Sequence, residues 1–397
     1  MNIVLYVNSF LPSIGGREIV VHHLARALKT LGHKVRVLGP AGWWSQRKTR
    51  FEYPVHRWPT LRGLFKDQVG FTQLLLDTTF WGCDVIHAHN TTPTGYTAAR
   101  LKSIRNFPLV ITPHGADIHV IPEIEHGLRL DPIQKPKIDW ALQKAELMTA
   151  ISASVEASLL DAGAPRDKIR KIPNGVDLER FQRPIASDVR RWLQFQEDSQ
   201  LIVTVGNYHP RKGHEVLIRA MPLILKSEPR ARLIIVGRNS GELEPLIRDL
   251  GLDGKVKLTG PIDFPAIISE NGASQDHSKP DMLAAIYRSS ELYVSAGLNE
   301  GAEGLSLAVF EAMAAGLPIV ATNISGNRDI IQNGKNGFLI PPDNPVQLGE
   351  GVLRMLTSDE SRTVMGEKAK AFAKKYRWSE IARQYLAVYD EASERST

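Results

Sequence analysis

The segment Glu303-Gly-Leu-Ser-Leu-Ala-Val-Phe-Glu311, which continues as Ala-Met-Ala-Ala-Gly316-Leu-Pro318, carries the most specific pattern of this sequence. Its apolar residues predict a helix that ends at Gly316 and Pro318, because glycine caps helix C-termini and proline cannot continue them. Glu303 then lies in the loop before the helix, and Glu311 lies about one and a half turns further along. The positive N-terminal end of this helix, fronted by Gly304, is a ready site for an anion.

A helix N-terminus between two carboxylates suits a particular class of ligand. Ionised glutamates only accept hydrogen bonds, so the pair fits a ligand with hydroxyl groups on both sides of a phosphate-sized anion. A nucleotide sugar has this layout, with ribose hydroxyls, a diphosphate and sugar hydroxyls in sequence. The same spacing also occurs on a surface helix with two solvated glutamates, and the spacing alone does not separate the two interpretations.

Short apolar segments alternate with amphipathic segments in two successive series along the chain. Strands are predicted at 2–7, 34–38, 84–87, 109–112, 201–205, 232–236 and 256–258, and helices at 18–31, 215–225, 243–250 and 378–392. Apolar strands that alternate with helices indicate parallel sheets covered on both faces. Because 397 residues exceed the usual size of one core, we expect two doubly wound domains, with ligands bound beyond the carboxyl ends of the strands.

The junction between the two domains is predicted near 180–185, so that residues 1–182 precede it and residues 183–377 follow it. Two segments, 263–281 and 297–302, are predicted to be loops next to the site. Long loops beside a site are often functional or disordered, and the sequence does not separate the two.

The composition narrows the class of protein. Hydrophobic residues make up 43% of the chain and charged residues 23%, as in ordinary globular proteins. The one cysteine, Cys83, excludes an internal disulfide and fits a reducing compartment. The first residues predict a strand rather than a signal peptide, and no apolar run is long enough to span a membrane. The net charge of +6 comes mostly from scattered basic residues without a nucleic-acid-binding motif. We therefore expect a cytoplasmic protein that does not bind nucleic acid.

Further motifs follow one another along nearly the whole chain. They are Pro12-Ser-Ile-Gly15-Gly16-Arg17-Glu18, Asp84-Val-Ile-His-Ala-His89, Thr112-Pro-His114-Gly115-Ala-Asp117, Ile172-Pro-Asn174-Gly175-Val-Asp177, Val205-Gly206-Asn-Tyr-His-Pro-Arg211-Lys212-Gly213, Ser325-Gly326 and Asn333-Gly-Lys-Asn-Gly337-Phe-Leu-Ile-Pro-Pro342. Each motif is weak singly. In this order, together with two glutamates spaced as E-x7-E, they make the sequence closely resemble the retaining glycosyltransferases of family 4, which have the GT-B fold.

The resemblance implies an α/β protein of GT-B fold, in which two Rossmann-like, doubly wound parallel-sheet domains face each other across a cleft. It implies that a C-terminal helix within 378–397 completes the N-terminal, acceptor-side domain, while the other domain binds the nucleotide sugar. The implied reaction moves a hexose-type sugar from a nucleoside diphosphate to a hydroxyl acceptor. We expect that acceptor to be lipid-linked or a glycan of the cell envelope. The resemblance also implies that the acceptor attacks from the face of the leaving group, which retains the configuration, and that the departing phosphate takes the acceptor proton.

Lys212 and Arg211 are the expected cations of the donor site. Both follow a predicted strand through a turn with glycine and proline, where they would neutralise the diphosphate as charge develops on the leaving group. An ordinary exposed turn is the alternative. The chain departs from the family pattern after Gly206, where Asn207 replaces an arginine and is a weaker phosphate ligand. Arg211 or Arg238 is expected to supply the missing cation; otherwise donor affinity is low or the activity is lost.

The remaining donor contacts are expected from a helix end, the two glutamates and a pair of glycines. Glu311 would accept hydrogen bonds from the ribose, and Glu303 would hold sugar hydroxyls near the reacting carbon. The tandem Gly15 and Gly16 permit unusual backbone geometry and a close approach to the donor, or they form a plain tight turn. The helix end contributes Gly304, Leu305, Ser306 and Leu307.

The N-terminal domain supplies a further catalytic candidate, His114, and two candidates for the acceptor side, Asp117 and His89. The resemblance places His114 against the donor sugar as a catalytic residue, with Asp117 orienting it or contacting the acceptor. His87 and His89 are predicted on opposite faces of a strand, one in the core and one, taken as His89, towards the acceptor. No histidines and cysteines have a zinc spacing. The resemblance also implies that side chains and a helix end, rather than a metal, stabilise the leaving diphosphate, so no metal and no cofactor other than the donor substrate are expected.

Basic residues and tryptophans are interleaved between Ala41 and Gln68. This pattern suits an anionic membrane surface, and it also suits ordinary tryptophan packing under a solvated loop. In the first case the protein would associate peripherally with the inner face of the membrane. The basic residues are Arg47, Lys48, Arg50, Arg57, Arg62 and Lys66, the acidic residues Glu52 and Asp67, and the tryptophans Trp43, Trp44 and Trp58.

Two other functions fit the same motifs. A nucleotide-sugar epimerase of the same fold would turn over its substrate without an acceptor. A non-catalytic sugar-nucleotide-binding protein, suggested by Asn207, would bind the donor without releasing the nucleotide.

Overall fold

The structure is a computed structural model that describes residues 1–40, 51–58, 66–122, 125–183, 188–262, 281–299 and 304–396. The chain forms two compact units. The first comprises Met1–Gly175 and the segment from Trp378 onward, and the second comprises most of residues 176–377. The first crossing between the units falls at Gly175–Val176, a few residues before the junction predicted from the sequence, and the second falls at Arg377–Trp378.

Seven parallel strands form the described sheet of the first unit. They are β1 (Asn2–Val7), β2 (Lys34–Pro40), β3 (Val55–Trp58), β4 (Val85–His89), β5 (Leu109–Thr112), β6 (Leu147–Ala150) and β7 (Ile169–Lys171). Their spatial order is β3-β2-β1-β4-β5-β6-β7. In β1 the residues from Ile3 to Val7 are almost fully buried, as expected for a strand covered on both faces.

The second unit repeats this arrangement with six described strands. They are β8 (Gln200–Val205), β9 (Ala231–Val236), β10 (Val256–Gly260), β11 (Leu292–Ser295), β12 (Ile319–Thr322) and β13 (Gly337–Ile340). Their order is β10-β9-β8-β11-β12-β13, and all neighbouring pairs are parallel. The prediction of two doubly wound parallel sheets is thus confirmed.

The helices of the described chain connect these strands. They are α1 (Gly16–Thr30), α2 (Lys66–Trp81), α3 (Tyr96–Lys102), α4 (Gln134–Lys144), α5 (Ala153–Asp161), α6 (Val189–Trp192), α7 (His214–Ser227), α8 (Glu244–Asp249), α9 (Met282–Ser289), α10 (Leu307–Ala315), α11 (Asn327–Ile330), α12 (Pro345–Leu356), α13 (Asp359–Ala373) and α14 (Trp378–Ser396). Helix α14 belongs to the first unit and packs on α1.

The predicted elements match the observed ones, with differences at their ends. Helix α1 begins at Gly16 rather than at residue 18, because its N-cap is Gly15. Strand β4 extends to His89, two residues beyond the predicted end. Helix α10 ends at Gly316, whose φ of +82° places it in the left-handed region that glycine adopts at helix ends.

Several sequence predictions lie outside the described residues. They concern Glu303, the loop at 263–280, residues 300–302, and the basic and aromatic residues of segments 41–50 and 59–65. Within the described part of the chain, no helix is long and apolar enough to cross a membrane.

Candidate active site

The strand order of each sheet reverses at one point, between β1 and β4 in the first unit and between β8 and β11 in the second. In doubly wound sheets, ligands bind beyond the carboxyl ends of the strands at such points. In the first unit the predicted site residues follow β1, end β4 and follow β5. In the second unit they follow β8 and lie at α10, the helix that comes after β11. The described candidates therefore lie where this fold binds ligands.

Gly15 and Gly16 join β1 to α1. Neither residue has a positive φ, and Gly15 is extended with a φ of −154°. The backbone itself therefore does not require a glycine at Gly15. A side chain there would instead come within 2.4 Å of the Glu18 carboxylate. Gly15 thus leaves room for this carboxylate.

Arg17 connects this turn to the end of β4. Its Nη1 donates to Asn90 Oδ1 at 2.7 Å, and its Nη2 donates to Ser9 Oγ at 3.0 Å and to Glu18 Oε1 at 2.8 Å. The Ser9 hydroxyl also donates to Glu18. These bonds fix the loops after β1 and β4 against each other at the point where the sheet order reverses.

His87 and His89 lie on the same face of β4, so the prediction that they lie on opposite faces is wrong. Side chains alternate along a strand, and residues two apart therefore share a face. Both histidines are fully buried, with ring centroids 4.1 Å apart. His87 is bonded to the Tyr389 hydroxyl at 2.7 Å and to Thr112 Oγ1 at 2.6 Å. His87 is therefore a core residue with both ring nitrogens paired.

His89 and His114 form a buried pair at the ends of β4 and β5. His89 Nδ1 and His114 Nε2 share a hydrogen bond of 3.0 Å. His89 Nε2 is buried and has no hydrogen-bond partner among the described residues. Burial lowers the pKa of both rings well below the usual value, and the nearby Arg17 lowers them further. His114 is consequently a neutral imidazole near pH 7, which can donate or accept one hydrogen bond.

Asp117 holds the loop that presents His114. Its Oδ1 accepts the backbone N–H groups of His114 at 2.9 Å and Gly115 at 3.2 Å, and its Oδ2 accepts that of Thr91 at 2.8 Å. Burial raises the pKa of this carboxyl, and the backbone hydrogen bonds oppose that effect. Asp117 thus ties the loop after β4 to the loop after β5.

The turn after β8 contains the residue that departs from the family pattern. Asn207 Oδ1 accepts the backbone N–H of Arg238 at 3.0 Å, and Tyr208 donates its N–H to the Arg238 carbonyl at 2.8 Å. A side chain at Gly206 would meet no atom within 4 Å. Asn207 therefore joins the ends of β8 and β9, and the backbone at Gly206 faces open space.

Arg211 and Lys212 form a short 3-10 turn, Pro210–Lys212, directly before α7. Gly213 follows with a φ of +65°, and a side chain there would come within 1.8 Å of the Ala296 carbonyl oxygen. Leu298 also donates its backbone N–H to the Arg211 carbonyl at 2.9 Å. The turn with both predicted cations is thus fixed against the chain that leaves β11.

Helix α10 begins with the predicted anion-binding segment. Gly304 and Leu305 are buried, and Ser306 is the N-cap, but its side chain makes no capping hydrogen bond. Leu307 is the first helical residue. The backbone N–H groups at this end carry the positive end of the helix dipole, as expected for an anion site.

Glu311 lies inside α10 with each oxygen bonded to one donor. Arg180 Nη1 donates to Oε1 at 3.0 Å, and the Tyr287 hydroxyl donates to Oε2 at 3.1 Å. Burial raises the pKa of Glu311, whereas the charge of Arg180 and the Tyr287 hydrogen bond oppose the rise. The Glu311 side chain keeps 14% of its surface exposed, so a ligand can still reach the carboxylate.

Sequence analysis missed the side chains that support the predicted groups. Arg17 stands inside a motif that was singled out for its glycines, and Arg180 stands three residues after the Asn174–Asp177 motif. Tyr287 and Asp281 carry no motif signal. The partners of Arg180 are 101 and 131 residues away along the chain, so only the fold shows them. Within the described residues, no group of three histidine, cysteine, aspartate or glutamate side chains could hold a metal ion.

Two family models match the chain. The model described as glycosyltransferase family 4 matches residues 14–180, and the model described as glycosyl transferases group 1 matches residues 187–372. An uncharacterized glycosyltransferase of Methanocaldococcus jannaschii is 31% identical over 78% of this chain and 76% of its own length. A phosphatidyl-myo-inositol mannosyltransferase of Mycobacterium tuberculosis is 26% identical over 95% of this chain and 93% of its own.

Solved structures share the fold over nearly the full length. A sucrose-phosphate synthase of Thermosynechococcus elongatus has a TM-score of 0.79 at 21% identity, covering 98% of both chains. The Anabaena protein HepE, solved in complex with UDP, has a TM-score of 0.78 at 20% identity, covering 98% of this chain and 99% of its own. The resemblance inferred from the motifs is thereby confirmed. The chain belongs to the group 1 glycosyl transferases and is a glycosyltransferase of GT-B fold.

Proposed function

We propose that the protein is a retaining glycosyltransferase that moves a hexose-type sugar from a nucleoside diphosphate sugar to a hydroxyl acceptor. The observation that carries this proposal concerns the point of the second sheet at which the strand order reverses, between β8 and β11. There the Arg211–Lys212 turn follows β8 and is hydrogen-bonded to the segment that follows β11. Helix α10 is the next helix along the sequence after β11. Cations, a helix N-terminus and a buried carboxylate are the groups that a diphosphate and a ribose require.

Each of these groups has a role in the proposed reaction. Lys212 and Arg211 neutralise the diphosphate as negative charge develops on it, together with the N–H groups of α10, and this stabilises the leaving group. Glu311 accepts hydrogen bonds from the ribose, and Glu303 accepts them from the sugar. His114, as a neutral imidazole, binds a sugar hydroxyl. The reaction needs no metal, so a chelator such as EDTA should leave the rate unchanged.

Similarity to a phosphatidyl-myo-inositol mannosyltransferase supports a lipid-linked or glycan acceptor in the cell envelope. Trp58, which belongs to the basic and aromatic segment, is 7% exposed, and its ring lies 5.5 Å from that of Tyr6. It therefore packs in the core and is unavailable to a membrane. Docking on an anionic membrane through the other residues of this segment stays a prediction, which sedimentation with anionic and neutral vesicles would test.

A ligand screen followed by a turnover assay tests the proposal. UDP, GDP and ADP are first compared by thermal shift, because a ligand that binds the folded state raises the unfolding midpoint. The matching nucleotide sugar is then incubated with and without hydroxyl acceptors. Nucleotide release that depends on an acceptor, with the anomeric configuration retained by NMR, supports the proposal. Sugar isomerisation without an acceptor would indicate an epimerase, and binding without nucleotide release under any condition would indicate a non-catalytic binding protein.

A further inference from the structure

Arg180 is a buried cation that has no role in the reaction proposed above. It begins a short 3-10 turn, Arg180–Gln182, near the start of the second unit, and its side chain is only 3% exposed. Its Nε and Nη2 donate to the two oxygens of Asp281 at 2.6 and 3.0 Å, and its Nη1 donates to Glu311 at 3.0 Å. One guanidinium thus bridges two carboxylates that lie on different elements.

The same cluster fixes the second oxygen of Glu311. Asp281 is the N-cap of α9 and accepts the backbone N–H of Ala284 at 3.0 Å. Tyr287, on the same helix, donates its hydroxyl to Glu311 Oε2. The turn at Arg180 and helix α9 therefore hold the Glu311 carboxylate from both sides. Each carboxylate oxygen has about two acceptor positions, and the described residues occupy one on each oxygen, which leaves one on each for a ligand.

The charges in this cluster make the ionisation of Glu311 depend on Arg180. Burial disfavours a charged carboxylate, and the nearby Asp281 carboxylate disfavours it further, so both raise the pKa of Glu311. Arg180 and the Tyr287 hydroxyl act in the opposite direction. Arg180 is the cation that the structure places against this carboxylate. Without it, two neighbouring carboxylates would face each other with no cation between them, and the pKa of Glu311 would rise further.

We propose that Arg180 is a positioning residue of the donor site, which holds Glu311 as an oriented anion that accepts two vicinal hydroxyl groups of the donor ribose. The inference rests on the proposed function. It differs from a purely structural role, in which Arg180 would stabilise the second unit without influencing Glu311 in particular. Arg180 itself is too deeply buried to contact the donor.

A double-mutant cycle separates these two roles. The nucleoside diphosphate selected by thermal shift is titrated calorimetrically into the full-length parent, Arg180→Met, Glu311→Gln and the double variant. We expect Arg180→Met to weaken binding roughly tenfold at pH 7 and to cause little further loss in the Glu311→Gln background. Equal losses in both backgrounds would assign Arg180 a structural role and overturn the proposal. Arg190→Met is the matched control, because Arg190 pairs with Glu291 at 2.9 Å in the same unit without contacting Glu311.

The pH dependence gives a second readout. Binding should strengthen more steeply with rising pH in Arg180→Met than in the parent, because the loss of the Arg180 charge raises the pKa of Glu311 and delays its ionisation. Arg180→Lys, which keeps the charge, should restore most of the affinity and should fold where the methionine variant does not. A pH profile of Arg180→Met parallel to that of the parent would contradict the proposal; where the methionine variant does not fold, Tyr287→Phe, which removes the other donor to Glu311, takes its place in this comparison.

The carboxylate can also be observed without a ligand. A carbon-13 NMR titration of labelled glutamates, assigned with Glu311→Gln, reports the ionisation of Glu311 in the free protein. We expect the midpoint to rise from the parent to Arg180→Lys and Tyr287→Phe, and most in Arg180→Met. An unchanged midpoint would overturn the inference even if nucleotide binds, whereas a shifted midpoint in a protein that binds no nucleotide would contradict the proposed function alone.

Discussion

Asp117 is a buried carboxylate and Glu311 a partly exposed one, and they differ in the number of hydrogen bonds they can still accept. Asp117 is 2% exposed, and its oxygens already receive three backbone N–H groups. Glu311 receives one donor on each oxygen and keeps 14% of its side chain exposed. A carboxylate has about four acceptor positions. We therefore expect Glu311 to contact a ligand, and Asp117 to position the loop of His114 rather than touch the acceptor.

Substitution of the paired glutamates tests their assigned roles. Glu303→Gln and Glu311→Gln keep the size of each side chain but replace a charged acceptor by a neutral one. Each should cost about 1.5–3 kcal/mol, the free energy of a charge-assisted hydrogen bond. Glu311→Gln should mainly weaken donor binding, because the ribose is bound in both ground and transition states. Glu303→Gln should mainly lower the rate, because it acts beside the reacting carbon.

Steady-state kinetics and calorimetric donor binding measure both variants. Glu244→Gln is a suitable control, because Glu244 begins α8, an element that carries none of the assigned donor-binding residues. If both site variants transfer sugar at the parental rate with the parental KM, the assignment of the glutamates is wrong.

Helix and strand positions were predictable from the sequence, because they depend on local patterns. Strand β5 matches its prediction to the residue, and Gly32 and Gly316 follow helices with a positive φ, as capping glycines do. The contacts that organise the site are not local. The His89–His114 pair and the Arg180 cluster join segments that meet only because the strand order brings them together. Sequence motifs therefore identified the loops of the site, but not the side chains that support them.

Two glycine substitutions test the assigned geometry of the turn between β8 and α7. Gly213→Ala should destabilise the second unit by about 2–4 kcal/mol, because its φ is +65° and a methyl group would collide with the Ala296 carbonyl. Gly206→Ala meets no atom within 4 Å, so it should change stability by less than about 0.5 kcal/mol. If the diphosphate approaches the backbone at Gly206, the same variant should weaken nucleotide binding at least about tenfold.

Urea unfolding and nucleotide calorimetry distinguish the two glycines. A Gly206→Ala protein that is stable and binds nucleotide like the parent would remove this backbone from the donor site. A Gly213→Ala protein as stable as the parent would show that the turn can move away from Ala296.

The two units differ in how acid should affect them. His87, His89 and His114 all lie in the first unit, and burial lowers the pKa of His87 to about 3 and those of the other two well below the usual value. Six of the seven tryptophans also belong to residues 1–175 or to the segment from Trp378 onward, and the exception is Trp192. Tryptophan fluorescence therefore reports mainly on the first unit.

We expect the first unit to lose stability as the pH falls below about 6.5, the pKa of histidine in an unfolded chain. The unfolded chain then binds protons that the folded unit excludes, so each buried histidine lowers the free energy of unfolding by up to about 1.4 kcal/mol per pH unit. Three histidines give a slope of up to about 4 kcal/mol per pH unit. Asp117, whose pKa is raised by burial, acts in the opposite direction as the pH falls through that raised pKa. Urea unfolding of a Trp192→Phe protein between pH 7.5 and pH 5 measures this slope.

Two histidine variants test the origin of the slope. His87→Gln should reduce the slope by about a third. His209→Gln should leave it unchanged, because His209 is an exposed residue of the second unit. A flat profile would contradict the lowered pKa values of all three histidines, including that of His114, whereas equal slopes for the two variants would contradict the lowered pKa of His87.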